Sequence, residues 1–348
     1  MKELVVDKDL KVEIHDVPVP KPNADQVLIK IVVSGSNPKD WKVPMWMKET
    51  SNSGDDIAGF VEEVGENVTE FKKGDRVAAF HEMRTAHGSF AEYGIAWSHT
   101  TFHLPKKISF EEGATIPLAA MTAALGLYST TRLGLPEPWQ AASSPIPLIV
   151  YGASSAVGAY AIQLAQLSNI HPIIAVAGRG QSFVEKLIDR SKGDTIVDYR
   201  NGDEALVSSI KDALKGQDIH YAFDAVSEKG SYQNLSKILS TKGGSKITLV
   251  LPGRDYGDIP ESITHSVTTV GSVHQDSPRA KEGIKISDKE FGFVFFRFFG
   301  RGLQEGWFEP HPHEVVPGGL NGVQKGLENL KDGVNSATKY VFRIEETK

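Results

Sequence analysis

Leu148-Ile149-Val150-Tyr151-Gly152-Ala153-Ser154-Ser155-Ala156-Val157-Gly158-Ala159-Tyr160-Ala161-Ile162-Gln163 carries the densest signal in this 348-residue chain. An apolar run reads as a buried strand, a turn of small residues follows, and a helical pattern begins at once. Small side chains let the backbone approach a diphosphate, and the first amides and the dipole of the helix then bind its charge. The spacing departs from G-x-G-x-x-G, because Ser155 and Ala156 stand where glycines are expected. Close packing of strand on helix would also select small residues, so the placement of the turn at the head of an alternating series favours the binding reading.

That series follows directly. Strand Ile173–Ala177 precedes a helix over Phe183–Arg190, strand Thr195–Val197 a helix over Glu204–Leu214, and strand Tyr221–Phe223 a helix over Tyr232–Leu239; strand Lys246–Leu251 closes it. Strands separated by single helices imply a parallel, doubly wound sheet with right-handed crossovers. Upstream, to about residue 115, the pattern is short strands and turns: Leu4–Val6, Val12–Ile14, Val27–Val33, Ile57–Val64, Asp75–Phe80 and Phe90–Ala96. A β-rich domain of barrel type is expected there, followed by a helical stretch over Leu118–Thr131. After about residue 278 come a Phe-rich helix, strand His313–Val316, helix Leu320–Leu330 and strand Lys339–Ile344, which belong with the β-rich part. The expected domains are 1–117 with 278–348, and 118–277 inserted between them. The Phe cluster has three readings: a substrate wall, a subunit interface or an ordinary packed core.

The end of the second strand bears on the cofactor. NAD sites usually place a carboxylate there for the ribose 2′-OH. Here Gly178-Arg179-Gly180-Gln181-Ser182 has none, and Arg179 offers a planar fork suited to a 2′-phosphate. The expectation is NADPH, with Tyr199 a second candidate beside the adenosine end.

Composition excludes other classes. Lys plus Arg is 38 and Asp plus Glu 44, a net charge of −6 with no basic run, so nucleic acid is a poor partner. No Cys means no disulfide, thiolate zinc site or Cys nucleophile. No apolar run is long enough to span a membrane and no secretory leader is evident, so a cytoplasmic protein is expected.

The order of these parts resembles the medium-chain dehydrogenase/reductase superfamily. The segments that agree are Gly35-Ser-Asn-Pro-Lys-Asp40, Gly59–Gly65, Lys73-Gly-Asp-Arg-Val77, Gly88-Ser-Phe-Ala-Glu-Tyr93, Ile116-Pro117 with Thr122-Ala123, and Gly152–Gly158. The resemblance covers essentially the whole chain and implies a Rossmann sheet inserted in a discontinuous GroES-like catalytic domain. Zinc alcohol dehydrogenases of the superfamily carry a Cys in the loop corresponding to Ser34–Asp40 and Gly-His-Glu where this chain has Gly54-Asp55-Asp56, so the usual zinc sphere cannot be built. The pair His311-x-His313 is flanked by prolines and suggests no partner ligand. No metal is expected.

The chain is thereby similar to the zinc-independent quinone oxidoreductases and enoyl reductases, above all the fungal trans-acting enoyl reductases that serve polyketide synthases. That resemblance rests on Asn37-Pro-Lys-Asp-Trp-Lys42, Val150–Val157 and Ala337-Thr-Lys-Tyr-Val341. It implies that Lys39, Asp40, Trp41, Lys42, Ser154, Ser155, Ala156, Val157, Arg179, Gly180, Gln181, Ser182, Tyr199, Leu249, Val250, Thr338 and Lys339 line NADPH. Ile116, Met121, Thr122, Gly271, Val273 and His274 would face the substrate in a cleft between the domains. Arg179-Gly-Gln-Ser departs from the more usual Ser-Pro-x-Asn.

Without a metal to polarise a carbonyl, the easiest chemistry is hydride delivery to an activated double bond or a quinone. Lys42 and Thr122 are the candidates for donation to the developing oxyanion; solvent, His81, His87 or His274 would supply the proton. Reduction of small aldehydes or ketones, and a dinucleotide-binding sensor or partner without turnover, are the alternatives. The expected substrate is a small molecule, with a carrier-bound polyketide included, and the chain acts as a monomer or a homo-oligomer.

Overall fold

The computed structural model describes residues 1–275 and 287–348; the expected boundary at 277/278 lies outside the described residues. The chain divides into two compact units, residues 1–121 with 271–348, and residues 122–270. No described helix is long and apolar enough to cross a membrane.

Strands β1 (Lys2–Val6) and β2 (Val12–Asp16) pair antiparallel. Their turn is tied by Asp7 Oδ1, which accepts from the backbone N–H groups of Asp9 and Lys11 at 2.8 Å each. Then come β3 (Gln26–Gly35), α1 (Lys39–Met47), β4 (Asp56–Val64), β5 (Arg76–Phe80), β6 (Tyr93–Trp97), β7 (Thr101–His103), α2 (Phe110–Gly113) and α3 (Pro117–Tyr128). The last of these stops short of the expected Thr131. Two register shifts in β3 bend it.

The inserted unit holds β8 (Leu148–Tyr151), α4 (Ala156–Leu167), β9 (Ile173–Ala177), α5 (Gln181–Val184), β10 (Thr195–Asp198), α6 (Asp203–Leu214), β11 (Tyr221–Asp224), α7 (Ser231–Ser236), β12 (Ser245–Leu249) and β13 (Ile263–Val267). Its parallel sheet runs β10-β9-β8-β11-β12-β13, so the winding reverses between β8 and β11. This is the Rossmann order, which creates a crevice at the carboxyl ends of those two strands.

Two expectations fail here for local reasons. The series does not close on Lys246–Leu251: β13 adds an edge strand whose mixed Ile-Thr-His-Ser-Val lacks the apolar run of a central strand. The helix expected over Phe183–Arg190 stops at Val184. Asp189 instead donates its backbone N–H to Asp194 at 2.9 Å and caps Ser191 with its carboxylate, and these local bonds compete with the helix.

The return segment contains α8 (Asp288–Glu305), β14 (His313–Val315), α9 (Val323–Lys331) and β15 (Lys339–Arg343). Residues Gly319–Gly322 form a 3₁₀ turn rather than the start of α9. Strand β15 pairs with β3, completing a seven-stranded sheet among the described residues, ordered β14-β15-β3-β4-β5-β7 with β6 also on β3. Of the Phe cluster, Phe295, Phe296 and Phe299 are buried, which supports core packing; Phe293 is exposed and lies under the Arg297 guanidinium, 3.9 Å from its ring centre.

Candidate active site

In the inserted unit, β8 is buried throughout and α4 is buried over residues 158–162, yet Ser154, Ser155 and the first two residues of α4, Ala156 and Val157, are all partly exposed. They form a lip at the point where the sheet's winding reverses. Gly152 turns the chain with φ +76, a conformation costly for side chains. Ser155 caps α4 by accepting from Gly158 N at 3.1 Å, which explains a serine where the motif expects glycine. A Cβ on Gly158 would lie 2.2 Å from the Gly152 carbonyl oxygen, so no side chain fits there.

The end of β9 is equally cramped. A Cβ on Gly178 would meet the Tyr199 ring at 2.7 Å, so Tyr199 lies close against the backbone beside Arg179 while staying 44% exposed. Arg179 and Ser182 are exposed. Gln181 donates to Asp198 at 2.6 Å, and Arg200 pairs with the same carboxylate at 2.6 Å; the bond from Arg200 is the main reason Asp198 sits at about 2.

Sequence reasoning missed Asp198 and Arg200, and also Asp224. Burial pushes Asp224 up to about 6 at the end of β11, against bonds it accepts from Ser231 Oγ, Ser227 N and Val226 N. Ser227 Oγ in turn accepts from Val250 N at 2.9 Å, linking β11 to Leu249-Val250. The signal was an Asp ending an otherwise apolar strand.

In the β-rich unit, loop 34–40 and α1 form a polar interior. Pro44 has no N–H for the Asp40 carbonyl, and Ser53 Oγ donates to that oxygen at 2.8 Å instead. The Asp40 carboxylate accepts from Asn37 N at 2.7 Å. Lys39 turns inward: its ammonium contacts Asp55, the Ser53 carbonyl and, at 3.1 Å, Asp40. Burial raises Asp40 to about 7 and Asp55 to about 6, with Lys39 pulling both down.

A second set surrounds Asp56, which is fully buried. It pairs with Lys339 and accepts from Asn37 Nδ2 at 2.8 Å and Leu118 N at 2.7 Å, seating α3. The Lys39, Asp40 and Lys339 side chains are therefore committed to internal partners. Thr338 is partly exposed.

Lys42, only 8% exposed, places its ammonium 5.4 Å from the Trp41 ring centre and 5.7 Å from that of Trp46. The buried Trp41 Nε1 has no hydrogen-bond partner among the described residues. Ile116, Met121 and Val273 are fully buried and Thr122 nearly so, while Gly271 is partly exposed.

Three of the histidines are held in the neutral form. Burial first, then His99, lowers His274 to about 3; burial lowers His81, whose Nδ1 contacts the Ile95 carbonyl at 2.7 Å. Burial also takes His311 to about 3. Among the described residues no three His, Asp or Glu side chains converge as a metal-binding group. A cavity of about 570 Å³ between β5, β7 and α8 is lined by none of the candidate residues.

Residues 23–106 match the alcohol dehydrogenase GroES-like domain. The chain is 53% identical over 326 residues to a trans-enoyl reductase of Gibberella fujikuroi, covering 92% of each protein. It is 31% identical to a trans-enoyl reductase of Aspergillus sclerotiorum, covering 95% of this chain and 96% of that one. Among solved structures it is similar to a Rhizobium etli protein described as a zinc-dependent alcohol dehydrogenase, with TM-score 0.80, 20% identity and 99% and 98% of the two chains covered.

Proposed function

This chain belongs to the trans-enoyl reductase branch of the medium-chain dehydrogenase/reductase superfamily, and on that premise we propose that it is an NADPH-dependent reductase of activated double bonds. The observation that carries the reading is the lip Ser154–Val157, partly exposed at the reversal point of a Rossmann sheet, with a twelve-residue helix starting within it at Ala156. Helix amides at that lip suit a diphosphate, Tyr199 offers an exposed ring to the adenosine end, and exposed Arg179 suits a 2′-phosphate. When bound, the nicotinamide supplies a hydride to the β-carbon of a conjugated carbonyl.

The chain's own task is orientation and charge. Lys42 donates to the oxygen on which the arriving charge collects, and Thr122 is the second candidate donor. Trp41 Nε1 is a buried donor with no acceptor among the described residues, which suits a position where a ligand completes the bonding. Lys39, Asp40 and Lys339 have side chains bound to internal partners, and any contact they make with cofactor is through the main chain. With His81 and His274 held neutral near pH 7, solvent is the proposed source of the proton that completes the reduction.

A zinc sphere does not fit. The position of the family's His is Asp55, and its carboxylate is already neutralised by the Lys39 ammonium. The proposed substrates are α,β-unsaturated thioesters or enones, with a carrier-bound polyketide intermediate as the natural form.

The test is oxidation of NADPH with 2-enoyl thioesters, enones, quinones and aldehydes. Turnover confined to conjugated acceptors supports the proposal. Turnover of aldehydes alone replaces it with carbonyl reduction, and silence throughout, with NADPH bound, with a sensor.

A further inference from the structure

We infer that Arg200 is a specificity-determining residue at the adenosine end: it masks the Asp198 carboxylate, which unmasked would repel a 2′-phosphate and accept from a ribose 2′-OH. This deepens the NADPH reading and rests on it. The carboxylate that selects NAD ordinarily ends the second strand of such a sheet. Strand β9 ends without one, but its neighbour brings one alongside. Strand β10 pairs parallel with β9 so that Asp198 stands beside Ala177, from which Gly178 and Arg179 continue. Gln181, in the same loop, donates to Asp198 Oδ2 at 2.6 Å and ties the carboxylate to that loop. Tyr199, the residue after Asp198, lies against Gly178.

Arg200 answers this charge twice over. Its backbone N–H donates to Asp198 Oδ1 at 2.9 Å, which curls the chain back. Its Nε donates to the same oxygen at 3.0 Å and its Nη2 to Oδ2 at 2.6 Å. A guanidinium fork on both oxygens is a strong pairing with a fixed geometry. Together with Gln181 it takes up the lone pairs that a 2′-OH would need. The Asp198 side chain is 19% exposed and that of Arg200 50%, so the pair turns its cation toward solvent and its anion inward. Selectivity between coenzymes then comes from silencing the wrong recognition as well as supplying the right one.

The experiment measures Kd for NADPH and for NADH by titration calorimetry in wild type, Arg200→Ala, Asp198→Asn and the Arg200→Ala/Asp198→Asn double variant. Arg200→Ala should weaken NADPH about 3- to 20-fold, the scale of a screened like-charge repulsion, and leave NADH equal or tighter. In the double variant the carboxylate is gone, so NADPH affinity should return to within about 3-fold of wild type. Asp198→Asn alone should keep the wild-type preference. The readout is the ratio of the two Kd values, which an inactive fraction of protein does not change.

Equal losses for both coenzymes in Arg200→Ala would make the residue merely structural and overturn the inference. A loss confined to NADPH that the second substitution fails to restore would place the guanidinium on the phosphate itself and overturn the masking. Loss of the preference in Asp198→Asn alone overturns it too. Wild type that binds neither coenzyme, or both equally, refutes the NADPH reading and the inference with it. Wild type that prefers NADPH, with the same ratio in Arg200→Ala, refutes the masking and leaves that reading standing.

Discussion

Replacing Lys39 by Met should destabilise the β-rich unit, and more so as pH rises. The ammonium is the cation contacting Asp55 and Asp40, whose residues are 1% and 0% exposed. Removing one partner of such a buried set leaves an uncompensated charge, at a cost of about 3–5 kcal/mol. For a unit of this size that corresponds to a fall in Tm of roughly 6–20 °C.

The protein can escape the cost by protonating the carboxylates. Burial already holds Asp40 at about 7 and Asp55 at about 6, against the pull of Lys39, and without that pull both rise. A carboxyl raised in the folded state contributes stability that is full below its unfolded value and is lost as pH climbs through the folded one. The deficit of Lys39→Met should therefore be small near pH 5 and full near pH 8. Thermal or urea unfolding of wild type, Lys39→Met and Lys39→Met/Asp55→Asn at both pH values measures this, with the second substitution recovering most of the loss at pH 8. A loss under about 1 kcal/mol at pH 8, or one independent of pH and of Asp55, would refute the assignment of Lys39 as counter-ion.

Arg179→Ala should weaken NADPH binding about 10- to 100-fold, the worth of a charge-assisted bond to phosphate, and leave NADH affinity unchanged in titration calorimetry. Equal losses for both cofactors would remove the guanidinium from the 2′-phosphate. Gly158→Ala places a methyl 2.2 Å from the Gly152 carbonyl oxygen; it should cost about 1–3 kcal/mol of stability and weaken NADPH binding, both read from melting curves with and without cofactor. Prolonged dialysis against chelator should leave turnover intact and elemental analysis should find no stoichiometric zinc; activity restored only by added metal would contradict the zinc-independent reading.

Much of the fold could be read along the chain because buried parallel strands and the helices between them leave periodic patterns in consecutive residues. The phosphate turn was legible for the same reason, since Leu148–Gln163 is contiguous. Strand β13 was not, because an edge strand needs few apolar residues; nor was the early end of α5, which Asp189 and Asp194 decide between them. The family resemblance marked Lys39, Asp40, Lys42 and Lys339 as cofactor contacts and Lys42 as a donor, without showing that the Lys39 and Lys339 side chains turn inward.

By itself, the order of residues determined the alternating sheet, its glycine turn, the Arg in place of a carboxylate after β9 and the lack of cysteine ligands, all features set by neighbours within a few positions. Only the tertiary structure decided where each lysine spends its charge. Lys39 meets Asp55, Lys339 meets Asp56 from 283 residues away, and Lys42 meets two indoles. An ammonium's role follows from the groups that surround it in space, and burial makes those partners matter most where the chain brings distant segments together.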